Sequence, residues 1–190
     1  MKTTDSRQRS NYLYDSKTNK QLLTIDRFFD MAWLPEQLEI IKQWRDMVAF
    51  ETAKKSTPAE ILYQHRQTLE LINAAWKIRK LNIGKLDVSK VARKEIVKLH
   101  IKSEKKKIRD YPKHLKGKEI LRPAKIIRKT FRSLKPADYK RILDIWLYDA
   151  LKDYFLEESL TKSEVIVTYE NLVKLYEAMW LIRERMKSDP

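Results

Sequence analysis

Apolar residues recur along most of this chain at spacings of three and four, the period that gathers them on one face of a helix. Leu38, Ile41, Trp44 and Val48 form one such stripe, and Leu34-Pro35-Glu36 ahead of them has the Pro and the acid that favour a helix start. The stripe predicts a helix ending near Lys55. Thr57-Pro58-Ala59-Glu60 is a capping box with Pro at the first helical position. Leu62, Leu69, Ile72 and Trp76 mark the buried face of the helix it opens, which Asn82-Ile83-Gly84 should stop. Lys135-Pro136-Ala137-Asp138 opens another helix, carrying Ile142, Ile145, Trp146 and Leu147, and Thr161-Lys162-Ser163-Glu164 is a second capping box. Between them the pattern predicts a helix over 88–110, ended by Tyr111-Pro112, and one over 119–134 with Pro123 near its first turn. Ile126, Ile127, Phe131 and Leu134 form the apolar side of the latter. Val165-Ile166-Val167-Thr168-Tyr169 has strand-like residues, but the cap before it sets a helical frame. The expectation is an all-α fold of about six helices.

The two capped helices resemble each other. Residues 57–80 align without gaps on 161–184, an offset of 104, with seven of 24 positions identical. These are Thr57/Thr161, Glu60/Glu164, Leu71/Leu175, Ala74/Ala178, Trp76/Trp180, Ile78/Ile182 and Arg79/Arg183. Trp44 and Trp146 correspond after one or two gaps. Any two amphipathic helices share some Leu, Ala and Ile. The shared caps, the Trp-x-Ile-Arg endings and the Pro-started helix before each favour duplication of a helical hairpin. Two such hairpins pack on each other in pseudo-twofold fashion, or form two small bundles. The expected organisation is a flexible arm over 1–24, a hairpin over 25–84, a basic segment over 85–134 and a second hairpin over 135–187, as one compact unit.

Composition agrees with helices. The 190 residues include only two Gly, which disfavours hairpin turns and phosphate-cradling loops. There is no Cys, which removes disulfides, thiol catalysis and Cys-based zinc sites. No apolar run reaches the ~18 residues of a membrane span, and the first residues lack the apolar core of a secretory signal. An intracellular or virion location is expected, without secretion.

Charge changes the picture most. Residues 77–141 hold 24 of the 41 Lys and Arg but only six of the 26 Asp and Glu, so the net +15 of the chain comes from this central third. Lys90, Arg93, Lys94, Lys98, Lys102, Lys105, Lys106 and Arg109 fall three to four residues apart, on one helix face. At 1.5 Å per residue that row is ~28 Å long, enough to follow a phosphate backbone. Arg122, Lys125, Arg128, Lys129 and Arg132 belong to a second stripe, and Lys113, Lys116 and Lys118 join the two. A solvated face normally mixes signs, whereas like charges at i,i+4 repel. The block points to a polyanion, with nucleic acid ahead of an acidic protein partner, an anionic membrane surface or a passive face. Without zinc-finger, homeodomain, RRM, KH or P-loop signatures, contact with the backbone is expected rather than base reading.

Catalytic candidates are few. Trp33, Trp44, Trp76, Trp146 and Trp180 read as core, while Tyr139, Tyr148 and Tyr154 are weak stacking candidates. His65, His100 and His114 show no metal-binding spacing, so neither a metal nor a cofactor is expected. Arg109-Asp110-Tyr111-Pro112-Lys113-His114 resembles the Arg-x(4–6)-His motif of HEPN-type ribonucleases, and Arg93 with His100 also fits the spacing. Pro112 breaks the helix on which such a pair should stand.

In architecture, with an N-terminal arm, helical hairpins and a basic central segment, the chain resembles the small basic coat proteins of filamentous archaeal viruses. It also resembles the helical small subunits of CRISPR effector complexes. Either resemblance implies a non-enzymatic protein that lines a nucleic-acid backbone and self-associates or meets a homologous subunit, and neither assigns a role to a residue.

Overall fold

In the computed structural model, residues 15–50, 56–81, 83–85, 94–152 and 160–188 are described. They form eight helices: α1 Ser16–Met31, α2 Leu34–Phe50, α3 Pro58–Ile78, α4 Lys94–Lys107, α5 Gly117–Leu121, α6 Pro123–Ser133, α7 Pro136–Leu151 and α8 Lys162–Ser188. The all-α class holds, with two helices more than expected and no strand among the described residues.

The starts are chemical. Asp15 caps α1, its carboxylate accepting from the Thr18 amide at 2.6 Å. In both capping boxes the Thr hydroxyl accepts from the Glu amide, at 3.3 Å for Thr57/Glu60 and 3.2 Å for Thr161/Glu164. Each Glu carboxylate accepts in turn from the Thr amide.

Four expectations need correction. The N-terminal arm is too long: α1 occupies its second half and buries Leu22, Ile25, Phe28 and Phe29, whereas residues 1–14 lie outside the described residues. The helix over 119–134 is two helices, because Arg122 leaves helical geometry (φ −140°, ψ 68°) ahead of Pro123. The first capped helix ends at Ile78, before Asn82-Ile83-Gly84, although Gly84 does adopt the left-handed φ of +61°. Its buried face is Ile61, Gln64, Thr68, Leu71, Ile72 and Ala75, and Leu62 is half exposed.

The duplication is longer than the sequence suggests. α1, α2 and α3 correspond to α6, α7 and α8, with α4 and α5 inserted between the halves. α2 packs on α8 and α3 on α7, while α1 packs on α3 and α6 on α8, so each contact has its mate under exchange of the halves. Aromatic rings obey the same exchange. Phe29 meets Trp180 edge-on at 5.2 Å, and their counterparts Phe131 and Trp76 meet at 5.3 Å. Trp44 and Trp146, counterparts of each other, stand edge-to-face at 5.5 Å and mark the pseudo-twofold axis. The two units interlock rather than lie side by side. Most of the core is therefore one cluster, centred on Trp44, Trp146, Trp180, Tyr139 and Tyr176.

Candidate nucleic-acid interface

The insert has little core of its own. Its Ile108, Tyr111, Leu115 and Ile120 form a second, smaller cluster with Ile126 of α6 and with Ala178 and Leu181 of α8, and Ile101 of α4 lies alongside. Two buried polar clamps tie the insert to the same helix. Glu177, 1 % exposed, accepts from the backbone amides of Lys113, His114 and Leu115 at 2.7–3.0 Å. The His114 ring lies 2.8 Å from the same carboxylate through Nδ1. Successive amides aimed at one point make an anion nest, here filled by the protein's own carboxylate. The second clamp is Arg185, which donates to both oxygens of Glu104 at 2.6 and 2.9 Å and to the Gly84 carbonyl at 2.5 Å. Tyr111 donates to Glu104 at 2.6 Å. Burial and that hydrogen bond push the Tyr111 phenol well above its usual range.

α8 is therefore wrapped: Glu177, Ala178, Leu181 and Arg185 serve the insert, while Leu172, Leu175, Tyr176 and Met179 serve the main core. At the counterpart positions of Glu177 and Leu181 on α3, Asn73 and Lys77 are exposed among the described residues.

On this support stand the cations. α4 ends at Lys107, short of the expected 110; Ile101 and Glu104, and Ile108 just past its end, turn inward, and Lys98, Lys102, Lys105 and Lys106 are exposed. α6 is sharply two-faced: Ala124, Ile126, Ile127, Thr130 and Phe131 are buried, and Lys125, Arg128, Lys129 and Arg132 are exposed. Lys113, Lys116, Lys118 and Arg122 are exposed on the connection between them. Among the described residues, none of these twelve side chains has an ion-pair partner. Arg109 differs. It pairs with Asp110 at 3.5 Å and lies over the Trp33 ring at 4.2 Å. Lys90 and Arg93 lie outside the described residues, and Lys94 opens α4.

Several expectations shift. Trp33 is 43 % exposed rather than core, and Tyr139 is fully buried rather than a stacking candidate. With its hydroxyl in the core, burial raises the Tyr139 phenol far above its usual range. Tyr148 is exposed, and Tyr154 lies outside the described residues. The Arg109 and His114 side chains go to different partners, Trp33 and Glu177, and α4 ends before either. No cluster of three acidic or imidazole groups able to hold a metal occurs among the described residues, nor does a helix long and apolar enough to cross a membrane. A cleft of about 400 Å³ between α2 and α3 is lined by Gln37, Trp44, Gln64 and neighbours, without a single Lys, Arg or His, so it is no extension of the cationic surface.

Sequence reasoning missed Glu177, Glu104 and Arg185. The one available signal was Glu177 inside the run Leu175-Tyr176-Glu177-Ala178-Met179-Trp180-Leu181-Ile182, where a carboxylate must be buried and satisfied.

The chain matches no protein-family model, no curated protein and no solved structure.

Proposed function

We propose that this is a non-enzymatic nucleic-acid-binding protein that contacts the phosphate backbone with little sequence preference, as a packaging or coat-type subunit assembling on DNA or RNA. The observation that carries the reading is the set of twelve exposed cations on α4, α6 and their connection, without ion-pair partners among the described residues. α4 and the connection are clamped to α8 through Arg185 and Glu177, and α6 packs on α8 directly. Repulsion between like charges three and four residues apart opposes the free helix by a few tenths of a kcal/mol per pair, and a phosphate row relieves it. The nearly neutral halves around the insert suit contact between copies along a strand. A subunit lining a guided strand, as in CRISPR effector complexes, needs the same surface.

A second reading has its own observation. Ile96 and Leu99 are 43 % and 64 % exposed on α4, beside the lysines. An acidic, amphipathic protein segment would use both. Competition separates the two readings. Duplex DNA, duplex RNA and single strands are titrated against the protein, and binding that polyanions compete away supports nucleic acid. An acidic partner that neither DNA nor RNA displaces supports the adaptor.

A further inference from the structure

The pseudo-twofold relation exposes a charge difference between the halves. In the first half, α1 presents Asp26 and Asp30 to the end of α8. Arg183, 8 % exposed, donates to Asp26 at 3.0 Å and is paired with Asp30 and, at 3.1 Å, with Glu184. Lys187 approaches Asp26 at 3.7 Å. This junction is neutralised from within.

In the second half, α6 stands to α3 as α1 stands to α8, and the Phe131–Trp76 and Phe29–Trp180 contacts match within 0.1 Å (5.3 against 5.2 Å). The positions of Asp26 and Asp30 are held there by Arg128 and Arg132. Arg183 and Glu184 are matched by Arg79 and Lys80. Three anions and one Arg have become four cations. None of the four has an ion-pair partner among the described residues. Arg79 folds onto its own helix: its guanidinium lies 3.3 Å from the Trp76 ring centre and donates to the Trp76 carbonyl at 2.5 Å. Arg183 instead reaches across to Asp26 and Asp30 of α1, 5.2 Å from the Trp180 ring. Arg128, like Arg79, turns to its own helix, its Nε donating to the Ala124 carbonyl at 3.3 Å, and a tetrahedral oxyanion matches the forked donors of guanidinium groups left without a carboxylate.

We propose that Arg79, Arg128 and Arg132, with Lys80 at the edge, form a phosphate seat at the α3–α6 junction, where an external phosphate replaces the carboxylates of the other half. It rests on the nucleic-acid reading in taking a backbone phosphodiester as the natural occupant. It extends the interface from α4, α6 and their connection onto α3, whose Lys77 is also exposed.

The double variant Arg128→Asp/Arg132→Asp restores the Asp pair of the first half beside Arg79. Arg79→Gln is a second, milder variant, and Lys98→Glu/Lys102→Glu on α4 is the comparison. Two readouts are taken on the full chain: the NMR Nε–Hε resonances of Arg during titration with inorganic phosphate, and duplex affinity over a salt series. Phosphate should shift Arg79, Arg128 and Arg132 together and leave Arg183 unmoved. Arg128→Asp/Arg132→Asp should melt no lower than wild type, lose those shifts, and bind duplex at least about tenfold more weakly with a salt slope reduced by about one or more. Duplex binding undiminished in this variant and in Arg79→Gln, but weakened in Lys98→Glu/Lys102→Glu, overturns the seat and leaves the nucleic-acid reading intact. Phosphate shifts without duplex binding by wild type keep the seat for a free phosphate and overturn the nucleic-acid reading. Absence of both overturns both.

Discussion

The indole N–H of Trp44 donates to the backbone carbonyl of Trp146 at 3.2 Å, and the N–H of Trp146 has no hydrogen-bond partner among the described residues. The two residues are counterparts in the duplication and touch across its axis, yet only one of the two possible hydrogen bonds is made. Replacing either by Ala should cost about 3–5 kcal/mol, because each is at most 2 % exposed and lies in the shared core. Replacing each by Phe should separate them. Trp44→Phe loses a hydrogen bond and Trp146→Phe does not, so the former should cost about 1 kcal/mol more in chemical denaturation.

The insert should detach before the core melts. Glu177→Ala orphans the amides of Lys113, His114 and Leu115 and should cost about 2 kcal/mol. Glu104→Ala leaves Arg185 buried without its carboxylate and should cost about 3 kcal/mol. Amide exchange of Leu115 and Ile120 should accelerate in both variants, while amides at Leu71 and Leu175 stay protected. The two losses should be less than additive, since either change frees the same segment.

Acid should act through the capping boxes. Hydrogen bonds from the Thr57 amide and hydroxyl hold the Glu60 carboxyl below its ordinary value, and those from Thr161 do the same for Glu164. A carboxyl with a depressed folded value stabilises the fold above its unfolded value and loses that contribution as pH falls through the folded one. Glu60→Gln/Glu164→Gln should therefore lose less stability than wild type between about pH 5 and pH 3, followed by far-ultraviolet circular dichroism.

Much of this was legible in the sequence, for reasons that can be named. Capping boxes and Pro-led starts are local chemistry, so α3, α7 and α8 begin where Thr57, Lys135 and Thr161 say they should. The extension of the duplication to α1 and α6 was hidden. Residues 21–50 and 123–152 agree at only four of 30 positions: Ile25/Ile127, Phe29/Phe131, Ile40/Ile142 and Trp44/Trp146. Burial persists while the side chains change, as at Leu22/Ala124, Phe28/Thr130 and Gln37/Tyr139, so spacing alone could not reveal it. Leu62 misled because it sits one position off the buried frame, as does its counterpart Ile166, which is also exposed. The cationic surface was legible as a period of charge. Its supports were not, since Glu177 takes its donors from a backbone more than 60 residues away.

The central claim is that the exposed cations of α4 and α6 exist to meet a phosphate backbone. The most direct test is the affinity for a short duplex between 50 and 200 mM salt, for wild type and for the charge reversal of Lys98, Lys102, Lys125 and Arg128 together. Six to ten neutralised phosphates predict a ~10³–10⁵-fold fall for wild type over that range, and a much weaker, flatter curve for the variant. A slope near zero, or undiminished binding after charge reversal, would contradict the account.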